Sequence, residues 1–378
     1  MKRIYLDNAA STPIAPEVIS IMHKMMIEDF GNPSSIHSYG RTAKNIVENS
    51  RKKIADLLNT SPGSIFFTSG GTEADNMAIN CAIEDYNITH AITSKISHHA
   101  VLYPLQNLAN KKKIKLSYVK IDKNGLVSND HLEELLNKNP RSFVSIMHAN
   151  NEIGTIQNIS RINEICKKHN AILHSDTVQT IGHYPFDLQK FDIDFLAASA
   201  HKFHGPKGIG FIYISENINI SPFLRGGGQE RNMRPGTENI YAIAGMCKAL
   251  ELAYENLTKD TKYIKELKSH MINKLRTEIP GVNFYGNCAN IDNSLYTVLS
   301  VSFPEHSASE MLLFNLDILG ISCSGGSACA SGSTKGSHVL SIIDPDSRRS
   351  GIRFSFSKYN TIDEIDFTIN KLKEIFIS

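Results

Sequence analysis

The sequence predicts an α/β domain built on a mostly parallel sheet, joined to a smaller α+β domain. Three observations carry that expectation. Short apolar runs rich in β-forming residues alternate with amphipathic stretches over the first two-thirds of the chain. The alternation gives way near Thr237 to two long helical stretches, and then to a mixture of strands and helices. The 378 residues are 41% hydrophobic and 21% charged, an ordinary globular balance with room for two or three domains.

Taken in order, residues 16–30 and 38–59 read as helices. In the second, Ala43, Ile46, Val47, Ile54 and Leu57 recur at helical spacing among charges. Residues 64–68 read as a strand, 72–83 as a helix, 90–94 as a strand and 99–110 as a helix. Further strands are expected at 114–119, 143–148, 171–175, 194–199 and 208–214, with helices at 130–137 and 161–170. This alternation places helices over a largely parallel sheet. After the helices ending near Glu278, strands are expected at 296–303 and 351–357 and helices at 308–319 and 361–376. Residues 322–336, dense in Ser and Gly, read as a mobile loop. The expected division is a large domain of residues 15–258, and a small domain of residues 1–14 plus 259–378 that carries this loop.

Composition excludes several classes. Lys+Arg 40 against Asp+Glu 38 leaves a net charge of +2, so no global field draws the protein to nucleic acid or acidic membranes. The six cysteines form no CxxC pair, which argues against a disulfide-stapled secreted domain and against structural zinc. The N-terminus, MKRIYLDNAASTP, has no apolar signal segment, and no run reaches the roughly 18 apolar residues of a spanning helix. A cytoplasmic protein is expected.

Three segments carry chemistry. In FFTSGGTEADN (66–76) a strand ends, two glycines turn and a helix begins at Thr72, which makes a phosphate seat or a plain capped turn. It is neither a Walker loop nor a dinucleotide fingerprint. In AILHSDTVQ (171–179) an apolar strand delivers Asp176 at its C-terminal end, where ligands of open α/β sheets collect; a capping role is the alternative. In DFLAASAHKFHGPKG (194–208) another strand ends in Ser199, His201 and Lys202. A partly desolvated strand-end lysine can form an imine, whereas most lysines are simply solvated. His201 and His204 lack a companion ligand at metal spacing, so no metal is expected. A phosphate seat, an acid for a ring nitrogen and an imine-forming lysine are together what pyridoxal phosphate asks of a protein.

At this point the chain resembles the cysteine desulfurases (NifS/IscS-like branch) of the class-V aminotransferase family, fold-type I pyridoxal-phosphate enzymes with the aspartate-aminotransferase-like fold. The resemblance runs from YLDNAASTP (5–13) to GIRFSF (351–356) through GNPSS (31–35), MHANNEIG (147–154) and RGGGQERNMRPGT (225–237). It implies that Lys202 holds pyridoxal 5'-phosphate, that Asp176 pairs with the pyridine nitrogen and that Gln179 contacts the phenolic oxygen. Gly71, Thr72, Ser199 and His201 would bind the phosphate, and Thr237 would reach the phosphate of a partner subunit, implying a homodimer. His98 would stack on the ring and move protons, Asn151 would line the site, and Arg353 and Asn8 would meet the substrate, Arg353 clamping its carboxylate. On the residues alone, His98 or His99 reads equally as a helix-start residue, and Arg353 as a surface charge.

Within GISCSGGSACASG (320–332), Cys329 matches the family's nucleophile, and a thiolate on a Gly/Ser loop is well suited to attack on sulfur. Cys81, Cys166 and Cys247 lie in helical patterns and read as core. Cys323 reads as a strand-end residue or as a regulatory disulfide partner of Cys329. The loop resembles the branch that feeds iron–sulfur cluster assembly and tRNA thiolation. Gly325 stands where that branch commonly has a second Ser, and Ser97 where a Glu usually precedes the stacking His. The reaction so implied takes sulfur from L-cysteine, leaving L-alanine and a persulfide on Cys329 for acceptor proteins. Two other readings stand beside it. An aminotransferase or selenocysteine lyase would share the cofactor without needing Cys329, and a non-catalytic scaffold would not need Lys202, Asp176, His98 and Cys329 together.

Overall fold

The structure, a computed structural model, describes residues 3–306, 311–325, 336–346 and 348–377. In chain order its elements are β1 (Ile4–Tyr5), α1 (Pro16–Glu28), α2 (Ser38–Leu57), β2 (Ile65–Thr68), α3 (Gly71–Asp85), β3 (His90–Thr93), α4 (His99–Asn110), β4 (Lys115–Tyr118), α5 (Asn129–Lys138), β5 (Phe143–Ser145), α6 (Ile159–Lys168), β6 (Ile172–Asp176), β7 (Phe195–Ser199) and β8 (Gly210–Ile214). There follow α7 (Ile240–Glu255), α8 (Leu257–Glu278), β9 (Asn283–Phe284), β10 (Val298–Phe303), α9 (Leu312–Ile318), β11 (Ile321–Ser322), β12 (Ser324–Gly325), α10 (Leu340–Ile343), β13 (Ser350–Ser355) and α11 (Ile362–Ile377).

A seven-stranded sheet with the order β2-β8-β7-β6-β5-β3-β4 forms the larger layer. The pairs β3/β4, β3/β5, β5/β6 and β6/β7 are parallel, while β8 runs antiparallel to both β7 and β2. The reversed strand has a local cause. β7 and β8 are joined by a compact Gly/Pro turn, and a parallel return needs a crossover of a dozen or more residues. Every residue of β2, β6, β7 and β8 is buried, as a sheet covered on both faces requires. Alternate residues of β7 serve opposite faces. Leu196 and Ala198 join the core beneath α1, α2, α6 and α7, whereas Phe195 and Ala197 join the core beneath α3 and α4. The flanking helices start on local signals: Pro16 opens α1, Ser128 Oγ accepts from His131 N–H at α5, and Asn158 Oδ1 accepts from Arg161 N–H at α6.

A second core gathers α8, α9, α11, β10 and β13 around Leu267, Met271, Leu299, Val301, Phe303, Phe354 and Leu372. Its four-stranded antiparallel sheet has the order β12-β13-β10-β9. Ile4 and Leu6 belong to this core, and β1 pairs parallel with β11, so the N-terminal segment packs with the C-terminal third of the chain. The expected long strands at 143–148 and 296–303 are shorter here, ending at Ser145 and starting at Val298. Of the helix expected at 308–319, the described part is Leu312–Ile318, and most of the loop expected at 322–336 lies outside the described residues.

A buried ion pair ties a Gly-rich segment to the large sheet. Arg51 on α2 donates to both carboxylate oxygens of Glu230 at 2.7 and 2.8 Å, and Glu230 also accepts from Phe67 N–H on β2. Glu230, Arg231 and Asn232 are successive non-glycine residues at φ 45°, 56° and 68°. Backbone of that kind persists only where its surroundings over-determine it. Here Arg231 donates to Ile65 O and covers the Phe66 ring, and Arg234 bonds Glu73 at the start of α3.

Candidate active site

The parallel strands end at a common edge, and the residues just past those ends enclose a cavity of about 240 Å³. β6 delivers Asp176, with Val178 and Gln179 in the turn behind it. β7 delivers Ser199, then His201 and Lys202 on a single tight turn, Ala200–Lys202. The link from β2 into α3 delivers Gly71 and Thr72, the loop before α4 delivers His98, and the loop after β5 delivers Met147 and Asn151. Nine of the residues expected from the sequence therefore share one cavity. They come from five connections because a doubly wound sheet brings its strand C-termini together.

At the start of α3, Gly70 has φ +149°, and a Cβ on Gly71 would stand 2.5 Å from Val178 Cγ2. Both positions need glycine. The N-terminus of this fifteen-residue helix has no side-chain cap. Its first N–H groups and the positive end of its dipole therefore suit an anion, beside Ser199 and Thr72. Burial, then the charges of Lys202 and Lys207, push His201 down to about 4, so its ring is a neutral donor. Its Nδ1 lies 3.3 Å from Ser11 Oγ.

Lys202 Nζ donates to the carbonyl oxygens of Ala9 at 2.6 Å and Ala10 at 2.9 Å. Burial, then the charge of Arg353, lower its pKa to about 8, with Asp176 and Asp7 opposing. An amine so tuned keeps a sizeable neutral fraction near physiological pH, far larger than an ordinary lysine's, and that fraction can attack a carbonyl carbon. Asp176 is 6% exposed and accepts from Val178 N–H at 3.0 Å. Behind it, on α3, lies Asp75. Its carboxyl is pushed well up by burial and by the charge of Asp176, and it stands 3.2 Å from His174 Nε2 in a contact short of hydrogen-bond geometry. His174, pushed down to about 3 by burial, is neutral, and its Nδ1 lies 2.8 Å from Ser145 Oγ. Asp176 thus has the raised carboxyl of Asp75 and the neutral His174 behind it, and it lines the cavity.

His98 caps α4, its Nδ1 accepting from Ala100 N–H at 3.2 Å, and it also lines the cavity. The helix-start and cavity readings hold together. Because Nδ1 accepts, the ring proton of the neutral form sits on Nε2. Gln179 Nε2 donates to Ala9 O at 3.1 Å.

Arg353, on β13, reaches the same region from the small sheet. Its Nη1 donates to Asn151 O at 3.0 Å, and its Nη2 donates to Asp7 Oδ1 at 2.8 Å and Ser324 Oγ at 3.0 Å. Its Nε is buried without an acceptor among the described residues. Asn8, 4% exposed, donates to Ser355 O and Asn360 Oδ1, while its own Oδ1 has no donor among the described residues. Thr237 is exposed and does not line this chain's cavity. Cys329 lies outside the described residues. The other five cysteines are free, and burial raises every one of their thiols: Cys81 to about 12, Cys247 and Cys288 to about 11, and Cys166 and Cys323 upward as well. Among the described residues no group of three or more His, Cys, Asp or Glu is arranged for a metal, and no helix is long and apolar enough to cross a membrane.

Sequence reasoning did not single out Asp7, Asp75, Ser11, Met147 or Ser324. Asp7 and Asp75 lie inside motifs quoted above, but their partners are set by the fold. The donor set fits pyridoxal phosphate: an uncapped helix terminus, a fixed carboxylate and a lysine poised near pH 8.

Residues 4–367 match the family model of the class-V aminotransferases. The chain is 41% identical to the cysteine desulfurase IscS of Dictyoglomus turgidum, over 99% of this chain and 95% of that protein. Among solved structures, a NifS-like protein superposes with a TM-score of 0.91 at 38% identity, covering 99% of both chains. SspA in complex with cysteine superposes at 0.80 with 31% identity, over 95% of this chain and 100% of that one.

Proposed function

The chain belongs to the class-V aminotransferase family as a cysteine desulfurase, and from that premise we propose how its residues divide the reaction. The enzyme depends on pyridoxal 5'-phosphate, whose protonated ring, when bound, draws electrons from the substrate α-carbon. Gly71, Thr72, Ser199 and His201 hold the phosphate, Asp176 pairs with the ring nitrogen, Gln179 meets the phenolic oxygen, and Asn151 lines the wall. Lys202 makes the covalent link through Nζ. The observation that carries this assignment is the convergence of Lys202, Asp176 and the α3 terminus on one cavity, with Lys202 lowered to about 8.

Arg353 orients L-cysteine through its carboxylate, with Asn8 securing the segment that closes the substrate side. Lys202 Nζ, as the neutral amine, would remove the proton from Cα. His98 holds a proton on Nε2 for delivery nearby. Cys329, as thiolate, attacks the substrate sulfur. The Sγ–Cβ bond breaks with its electron pair left on carbon, that carbon takes a proton, and L-alanine departs while one sulfur stays on Cys329 as a persulfide. The raised thiols of the five described cysteines support Cys329 as the nucleophile, since none of them offers a ready thiolate.

The chain acts as a cytoplasmic homodimer in which Thr237 reaches the cofactor phosphate of the partner subunit. Supporting this are the exposure of Thr237 on a segment pinned by Arg51–Glu230 and Arg234–Glu73, and the exposed Ile19, Ile27, Phe30 and Ile36. Sulfur passes to protein acceptors serving iron–sulfur cluster assembly or tRNA thiolation. Near-neutral charge favours a protein acceptor over direct RNA binding. The two cores support a large domain of residues 15–258 and a small one of residues 1–14 plus 259–378.

The test is incubation with L-cysteine and no keto acid. Equal amounts of alanine and transferable sulfur are expected, and Cys329→Ser should keep its coloured cofactor yet release no sulfide. Full activity in that variant contradicts the assignment.

A further inference from the structure

Arg353 already has an anionic partner. The Asp7–Arg353 pair lies largely out of water, the two side chains being 19% and 11% exposed, and Ser324 Oγ closes a triangle by donating to Asp7 Oδ1 at 2.7 Å and accepting from Arg353 Nη2 at 3.0 Å. The backbone on both sides is fixed. Asp7 bridges Ser355 and its carbonyl accepts from Ala10 and Ser11, while Ser324 on β12 is in register with Arg353 on β13. The carboxylate of Asp7 can therefore turn aside on its own side chain but cannot leave with the chain. The Nε of Arg353, which has no acceptor among the described residues, is one of the two donors of the side-on, two-bond grip that a guanidinium gives a carboxylate. The second donor of that grip, Nη2, is the one Asp7 occupies.

We propose that Asp7 is a resident counter-ion of Arg353 that an incoming amino-acid carboxylate must displace, and that it sets the affinity of the site for substrate and product alike. The proposal rests on the reading of Arg353 as the carboxylate clamp. A guanidinium left bare in this setting is costly, so an internal anion keeps the empty site stable. Two carboxylates on one guanidinium repel each other, so every carboxylate ligand works against Asp7 before it profits from Arg353. The competition is useful because L-alanine carries the same amine and carboxylate as L-cysteine. A site that released its anion only by dissociation would hold its product; here Asp7 returns to Arg353 as alanine departs. Asp7 is in these terms a positioning and specificity residue, acting through Arg353.

The experiment titrates holoenzyme with L-alanine and, separately, with ethylamine, which lacks the carboxylate, following the cofactor absorbance or the heat of binding. Asp7→Asn keeps the acceptor oxygen for Ser324 and removes the charge. It should tighten L-alanine about tenfold, the worth of one charge-assisted hydrogen bond over a neutral one, and leave ethylamine within about twofold. Ser324→Ala loosens Asp7 without removing it and should move the alanine constant the same way by about two- to threefold, which keeps the test open if the first variant does not accumulate. In an Arg353→Gln background the Asp7→Asn gain should vanish. Unchanged or weaker alanine binding in Asp7→Asn, or an equal gain for ethylamine, overturns the proposal while leaving the clamp intact. Arg353→Gln with unchanged alanine binding would instead overturn the clamp, and the proposal with it.

Discussion

On one wall of the cavity, Asp176, Ser199 and Lys202 stand at the ends of β6 and β7, strands buried along their whole length between two helical layers. On the small-sheet side, beyond the residues that line the cavity, Arg353 is held by Asp7 and Ser324, residues 346 and 29 positions away in the sequence. The first wall places its groups by backbone, through strands whose neighbours fix their height to a fraction of a residue. The second places its guanidinium by one bond to the Asn151 carbonyl and by side-chain bonds to Asp7 and Ser324, which exchange when a better partner arrives. Under the proposed division of roles, the difference matches two tasks. A cofactor must stay and keep its charges aligned through every turnover, whereas a substrate must enter and its product must leave.

This contrast is open to direct attack. The largest effect should come from the rigid wall: Lys202→Ala should lower turnover by about 10³-fold or more and remove the absorbance of lysine-bound cofactor. Retention of that absorbance would locate the link elsewhere. Asp176→Asn, which keeps shape and removes charge, should cost about 10²-fold in kcat with little change in KM for L-cysteine. A change confined to KM would move Asp176 to the substrate side of the comparison. Glu230→Ala should leave the buried Arg51 with only the more exposed Glu48 and the Ile65 carbonyl as partners, and cost about 3 kcal/mol in denaturant unfolding. It should also release the 225–237 segment to proteolysis at Arg225 or Arg231.

The smallest effect tests whether the walls communicate. Reloading of apoenzyme with pyridoxal phosphate requires neutral Lys202, so its rate should rise as pH increases through about 8 and level off above, well before the ordinary lysine value. The charge of Arg353 is part of that lowering, so Arg353→Gln should move the midpoint upward. A downward move, or a rate independent of pH between 6.5 and 9.5, which are on the order of one and a half units either side, would separate the two walls electrostatically.

The rigid wall was also the legible one. Lys202, Asp176 and Ser199 follow short apolar runs that read as buried strands within the alternating pattern, and the glycine pair before Thr72 marks a strand-to-helix turn whatever the family. The exchangeable wall was legible only in part. Arg353 is named by resemblance, but an arginine in an alternating strand gives no sign of facing Asp7, because that pairing depends on β13 lying beside the N-terminal segment. β1, β11 and β12 have two residues each, too few for any periodicity to be read. Arg51 and Glu230 are 179 positions apart, and nothing local announces their bond. His98 shows the reverse case. Its helix-start signal was visible, and the same placement that lets it cap α4 turns its ring toward the cavity.

The central claim is that sulfur leaves L-cysteine through Cys329 while the fixed wall holds the cofactor. The most direct measurement is mass spectrometry of the holoenzyme after a single turnover with L-cysteine, with alkylation and peptide mapping. One additional sulfur atom is expected, confined to the peptide bearing Cys329, with one alanine per sulfur gained. Alanine without that mass gain, or a gain mapped to Cys323 or another cysteine, would contradict it.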